Sequence, residues 1–208
     1  MTKSNYELCK EELSKITYPK ELLLHSCCAP CSSHVITYLS KYFNITVLYY
    51  NPNIYPEEEY LKRKEEQIKL INNLKSPNKI TYLDCEYENN LYESKIKGYE
   101  TCQERGPRCT ICYNLRLEKT AMLAEKYNFD YFCTTLSVSP YKNATLINEL
   151  GFALAKKYNI KWLPSDFKKE DGYKKSIELS KKYNLYRQNY CGCIYSKRIE
   201  EEKKEKDL

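Results

Sequence analysis

Glycine is scarce in this chain, five residues in 208, while 42% of the residues are hydrophobic and 30% charged. That balance excludes a fibrous or disordered polymer. No stretch approaches the ~18 consecutive apolar residues of a membrane span. The opening residues, MTKSNYELCKEELSKI, lack the apolar h-region of a secretory leader. A soluble, cytoplasmic protein with no membrane partner is therefore expected. GxxxxGK[ST], GxGxxG and HExxH are all missing, which removes support for P-loop hydrolysis, dinucleotide reduction and zincin chemistry. With no internal repeat and no linker, residues 1–208 are expected to form a single α/β domain. The only biased tract is the polar tail at 200–208, which reads as a frayed helix end.

Cysteine is abundant instead: eleven residues in a chain without a secretory signal. Structural disulfides rarely persist in a reducing compartment, so clustered thiols there point to metal binding or redox chemistry. The odd count also argues against a simple disulfide framework. The 22 tyrosines are scattered over helices and strands alike and mark no site.

Short apolar runs alternate with amphipathic, charged stretches, the signature of βαβ units and a parallel sheet. Strands are expected at 21–26, 45–50, 79–84, 131–136 and 160–163, and helices at 32–42, 56–74, 110–127 and 143–158. In the third helix Leu117, Ala121 and Ala124 recur at i, i+4 and i+7, the buried stripe of a helix lying on a sheet. Crossovers in such a sheet bring the carboxyl ends of the strands to one edge, where ligands bind. The residues that follow the expected strands are unusual. Cys27-Cys28-Ala29-Pro30-Cys31 comes after the first, Asn51-Pro52-Asn53 after the second and Asp84-Cys85 after the third. The fourth is followed by Ser137 to Lys142 and the fifth by Asp166.

Cys27, Cys28 and Cys31 lie near a helix amino terminus, where the dipole and free N–H groups favour the thiolate that binds metal. Adjacent Cys27 and Cys28 are poorly placed to chelate one ion but can ligate different irons of a cluster. Cys109-Thr110-Ile111-Cys112 opens another helix, and a lone CxxC is shared by zinc knuckles, redox disulfides and clusters. The two pairs together supply four thiolates. Zinc competes for them, although 77 residues separate the pairs, against roughly 15 to 20 in common zinc ribbons. Cys191-Gly192-Cys193 suits a strained, easily reduced disulfide, further metal ligands or free thiols. Cys9 and Cys133 read as structural, and Cys85 and Cys102 stay open. His25, Tyr141 and Asp166 are candidate proton donors at the sheet edge, each with a structural reading beside it; His34 reads as helix surface. Residues 161–198 carry ten Lys/Arg against four Asp/Glu. Lys168, Lys169, Lys174 and Lys175 are thus candidate phosphate contacts, or simply solvated. A zinc-stabilised nucleic-acid module and a thiol–disulfide oxidoreductase are alternatives to a cluster enzyme.

Four blocks in one order, LLLHSCCAPCSSHVI, YYNPNIYPEEEYLKR, RCTICYNLRLEKTAMLAEKYNFDYFCTTLSVSPYKN and FKKEDGYKKSIELSKKYNLYRQNYCGCIYSKR, resemble the QueH-type epoxyqueuosine reductases over residues 22–198. The resemblance implies a Rossmann-like fold akin to the PP-loop (HUP-like) tRNA-thiolating enzymes. Their SGGxDS loop is missing, and Cys27 to Cys31 stands in its place, so ATP use is not expected. It implies two-electron removal of an epoxide oxygen from epoxyqueuosine at the wobble position of tRNA, in the anticodon loop. It further implies a 4Fe-4S cluster on Cys27, Cys28, Cys109 and Cys112, a redox-active pair of Cys191 and Cys193, and a second iron or zinc ion near Cys31. An external electron donor, protein or small reductant, is implied with them. Tyr186, Arg187 and Tyr190, beside the pair, would suit stacking and phosphate contact with a single-stranded loop.

Overall fold

Successive side chains of a strand point to opposite faces, and β1 (Lys20–His25) carries Leu22, Leu23 and Leu24 in a row. Leu22 and Leu24 enter one apolar core and Leu23 another. This strand is accordingly covered on both sides. β2 (Phe43–Leu48) and β4 (Tyr131–Thr134) flank it in parallel, with Leu22 opposite Ile45 and Tyr131. β3 (Ile80–Leu83) lies outside β2 and β5 (Lys161–Trp162) outside β4, completing an all-parallel sheet of order β3-β2-β1-β4-β5. This computed structural model describes residues 3–198. The tail at 200–208 lies outside the described residues. No helix among them is long and apolar enough to cross a membrane.

One face of the sheet is covered by α1 (Asn5–Ser14), α2 (Ala29–Leu39) and α3 (Glu57–Asn73), through Leu13, Val35, Ile36, Leu39 and Ile71. α7 (Gly172–Lys182) packs on α2, its buried Ser176 and Ser180 allowing a close approach. The other face carries α5 (Pro107–Lys126) and α6 (Ala144–Tyr158), and the stripe Leu117, Ala121 and Ala124 is fully buried there, as its spacing requires. α6 comes close enough to β5 that a Cβ on Gly151 would sit 2.3 Å from the Trp162 ring. The short α4 (Asn89–Lys95) leans on α5. Its seven residues are too few for a periodic signal in the sequence.

Three differences from the expected elements bear on the site. α2 and α5 each start three residues early, at Ala29 and Pro107, because Pro30 and Pro107 are pre-set for a first helical turn and lose no hydrogen bond there. β4 stops at Thr134, whose hydroxyl accepts the Leu136 N–H at 3.2 Å and turns the chain into a 3-10 segment, Thr135–Val138. The strand order reverses between β1 and β4, so the crevice for a ligand opens beyond His25 and Thr134.

Candidate metal and redox centre

The chain leaves β1 through Ser26, whose N–H bonds the Leu48 carbonyl at 2.9 Å, and enters α2 with Cys28 as its N-cap. Cys27 is held across the crevice: its N–H donates to Thr135 Oγ1 at 3.2 Å, and its sulfur lies 3.4 Å from the same hydroxyl. Cys31 follows on the first turn of α2. The Sγ atoms of Cys27, Cys28 and Cys31 all lie within 4.8 Å of one another. Adjacent Cys27 and Cys28, expected to chelate one ion poorly, thus lie with Cys31 close enough to share one. Extended backbone at Cys28 (φ −174°, ψ 160°) and the helix turn after it aim all three sulfurs at one point. Cys28 is held well below the ordinary thiol range by hydrogen bonds from Cys27 and then Cys31, whereas those two partners are pushed up. Three converging thiols thus share one favoured charge until a cation joins them.

Cys109 and Cys112 are not part of that triad. Cys109 sits on the first turn of α5, takes the Arg105 N–H at 3.3 Å, and borders the same apolar core as Cys27. Cys112, one turn on, is buried with Cys193, Tyr92 and Ile96, and burial pushes its thiol up to about 12. What connects the two groups is Arg116, 2% exposed, whose charge acts on Cys112, Cys191 and Cys27. Arg116 donates to the Cys112 carbonyl at 3.2 Å and to Asn51 Oδ1 at 3.4 Å, and its Nη2 has no hydrogen-bond partner among the described residues. Among the described residues no carboxylate lies within ion-pair distance of it.

The Cys191-Gly192-Cys193 segment closes over this crevice. Arg63 Nη1 donates to the Cys191 carbonyl at 3.2 Å, and the Tyr55 N–H donates to the Gly192 carbonyl at 2.9 Å. Gly192 has φ +127°, and a Cβ there would meet Ile54 Cγ1 at 2.9 Å. The backbone therefore demands glycine. Lys142 donates to Cys191 Sγ at 2.8 Å. All eleven cysteines are free thiols.

The candidate proton donors fare differently. His25 is fully buried, with Nδ1 2.7 Å from Thr134 Oγ1 and Nε2 donating to the Tyr50 carbonyl at 3.1 Å. Burial, reinforced by Arg116, pulls it down to about 3, so it stays neutral and structural. Asp166 is paired with Lys168 at 2.5 Å. Tyr141 is 64% exposed, with the Arg105 guanidinium 5.8 Å from its ring centre. Tyr186 and Tyr190 are half-buried against α3: Tyr186 donates to Glu59 at 3.2 Å, and Arg63 lies 4.9 Å over Tyr190. Arg187 is exposed and reaches Ser180 Oγ at 3.3 Å. Lys169 and Lys174 are exposed, and Lys175 donates to the Glu170 carbonyl at 2.8 Å. Cys9 and Cys133 are buried in the core under α1 and α2, Cys85 lies at the end of β3 beside the opposite core, and Cys102 precedes α5 without joining the triad.

Sequence reasoning missed Arg116, and it placed Lys142 at the sheet edge without giving it a role. A signal for the first existed, since a charged residue beside Leu117 on the buried stripe of α5 breaks the amphipathic pattern. For Lys142, nothing in the sequence distinguishes it from the exposed Tyr141 before it.

The donor set suits a metal group. Soft thiolates favour iron–sulfur clusters or zinc over hard cations, and the buried Arg116 and half-buried Lys142 supply charge that a thiolate-rich anion would neutralise.

The family model and the relatives named here agree on one family. Residues 22–199 match the model of the family described as epoxyqueuosine reductase QueH. A Streptococcus pyogenes protein of that name is 40% identical over 95% of this chain and 80% of its own length. One from Staphylococcus epidermidis is 41% identical over 94% and 91%. A Thermotoga maritima protein with the same name is 35% identical over 84% and 89%.

Proposed function

The chain belongs to the QueH family of epoxyqueuosine reductases, oxidoreductases of tRNA modification, and on that footing we propose that it works through a 4Fe-4S cluster at the wobble position of tRNA. Cys27 and Cys28 would hold the cluster from the β1 end, and Cys109 and Cys112 from α5. Cys31 would serve a second iron or zinc ion. When bound, the cluster supplies reducing equivalents.

The reading rests chiefly on one observation: Arg116 is buried between the two thiol groups, bonded to the Cys112 carbonyl and Asn51, and among the described residues no carboxylate lies within ion-pair distance of it. A buried cation without a carboxylate calls for an anion, and thiolates on iron provide one. Epoxide removal consumes two electrons and two protons and releases the oxygen as water. Cys191 and Cys193, as a dithiol, would deliver two electrons by closing a disulfide, which an external donor must reopen. His25 is neutral with its Nε2 proton held by the Tyr50 carbonyl, and Asp166 is tied to Lys168. Tyr141 and Arg105, exposed beside Lys142, would receive a base of the anticodon loop by stacking. A tRNA substrate places the reaction in the cytoplasm.

The test is iron and sulfide content of anaerobically prepared protein, followed by queuosine yield from tRNA by mass spectrometry of the digest. Brown protein with about four irons per chain that forms queuosine supports the proposal. A colourless protein holding stoichiometric zinc would sink it in favour of a zinc-stabilised binding module. Conversion by metal-free protein would leave a thiol–disulfide enzyme.

A further inference from the structure

Lys142 lies in the loop between the 3-10 segment and α6, next to exposed Tyr141, yet its ammonium turns inward. It is half-buried, contacts Cys191 Sγ at 2.8 Å, lies 5.6 Å from the Tyr113 ring centre, and has no carboxylate within ion-pair distance among the described residues. An ammonium taken from water needs a negative partner or a strong acceptor. The sulfur is the partner on hand.

The second thiol of the pair has different surroundings. Cys193 is 7% exposed and packs against Cys112 and Tyr92, with Ser196 Oγ 3.5 Å from its sulfur. Among the described residues no cation bonds that sulfur, and Arg108 on α5 acts on it only from a distance.

We propose that Lys142 is a positioning residue for the Cys191/Cys193 pair: its ammonium, 2.8 Å from the Cys191 sulfur, makes Cys191 the reactive member of the pair. This rests on the redox role proposed for the pair and adds its polarity. The groups facing Cys191 come from several elements. Arg116 on α5 acts with Lys142, and Glu104 before α5 acts against them. Cys112, Tyr113 and Cys193 also lie within electrostatic reach. Burial opposes the charge, but Lys142 and then Arg116 hold Cys191 below the ordinary thiol value. On oxidation Cys191 and Cys193 form one S–S bond and give up two electrons together with the protons their sulfurs carry. Lys142 keeps its proton and loses its anionic neighbour. Stabilising the dithiol form makes the pair more oxidising.

The experiment is alkylation of the full chain with iodoacetamide, with and without bound iron, following each cysteine by peptide mass spectrometry from pH 5 to 10. Cys191 should label along a curve whose midpoint lies below the ordinary thiol value of about 8.5, and it should still label when iron protects the cluster cysteines. K142R should keep that midpoint. K142M should raise it by about one pH unit or more and shift the pair's equilibrium toward the disulfide by about tenfold, roughly 30 mV for two electrons. A native midpoint at or above 8.5 overturns the proposal even if K142M fails to fold. So does an unchanged midpoint in folded K142M, or loss of Cys191 labelling when iron binds. None of these readouts needs tRNA or turnover, so their failure is distinct from failure of the reductase reading.

Discussion

Replacing Gly192 with alanine tests whether the Cys191–Cys193 segment must sit where it does. At φ +127° an L side chain is strained, and the new Cβ would meet Ile54 Cγ1 at 2.9 Å, Arg63 Nη1 at 3.0 Å and Asn53 Nδ2 at 3.5 Å. Arg63 cannot easily withdraw, being buried and tied to Glu59 at 2.7 Å. A residue in such a sparsely populated region costs about 1–3 kcal/mol. For a chain of this size each kcal/mol lowers Tm by about 2–4 °C. The segment would yield first at its two backbone anchors, Tyr55 N–H to the Gly192 carbonyl and Arg63 to the Cys191 carbonyl. G192A should therefore fold with a modestly lowered Tm, keep its iron and its tRNA affinity, and lose multiple-turnover queuosine formation by on the order of tenfold, the equivalent of about 1.4 kcal/mol. G98A is the control, since Gly98 has φ +88° but nothing within 4 Å of its would-be Cβ. It should lose stability and keep turnover. Native turnover in G192A refutes the reasoning, and loss of its iron would redraw the cluster to include this segment.

Three further outcomes are expected. R116M should retain less iron per chain than the native protein, with R116K restoring part of it; full iron in R116M would remove the charge argument. Y141F should keep native turnover, while Y141A should weaken tRNA binding in a fluorescence anisotropy titration; loss of turnover in Y141F with binding intact would return the hydroxyl to the proton-donor role. Burial, and then Lys175, holds His34 below its ordinary value of 6.5, so the folded state favours the neutral ring. The resulting stability is complete above pH 6.5 and lost as pH falls toward the lower folded value. H34Q should flatten that part of a Tm–pH curve, and an unchanged curve would discount His34.

The sheet was legible because its signals are local. Runs such as Leu22-Leu23-Leu24 and the stripe on α5 each state what one element buries, and burial on both faces of β1 follows from alternation alone. The sulfur cluster after β1 was legible for the same reason, since three thiols in five residues are visible without a fold. Convergence was not. Whether Cys27 and Cys28 point together depends on the Cys28 backbone and on Thr135, which is 108 positions away in sequence from Cys27. The caps were set about one turn late at α2 and α5, where Pro30 and Pro107 belong to the first helical turn.

Charge was the least legible feature, and the reason is physical. Residues 161–198 carry ten Lys/Arg, yet the cations that bond the cysteine segments are single residues elsewhere: Arg63 and Arg116 on cysteine carbonyls and Lys142 on the Cys191 sulfur. An exposed lysine is screened by water and salt and contributes little wherever it lies. A cation removed from water costs several kcal/mol unless an anion joins it. Arg63 has Glu59. Among the described residues Arg116 and Lys142 have no carboxylate within ion-pair distance, and the sulfurs near them can answer their charge only as thiolate. Cysteines and cations at this edge therefore form one electrostatic unit: the thiolates lower the cost of burying the cations, the cations favour the thiolates, and removing either sign leaves the other unpaired.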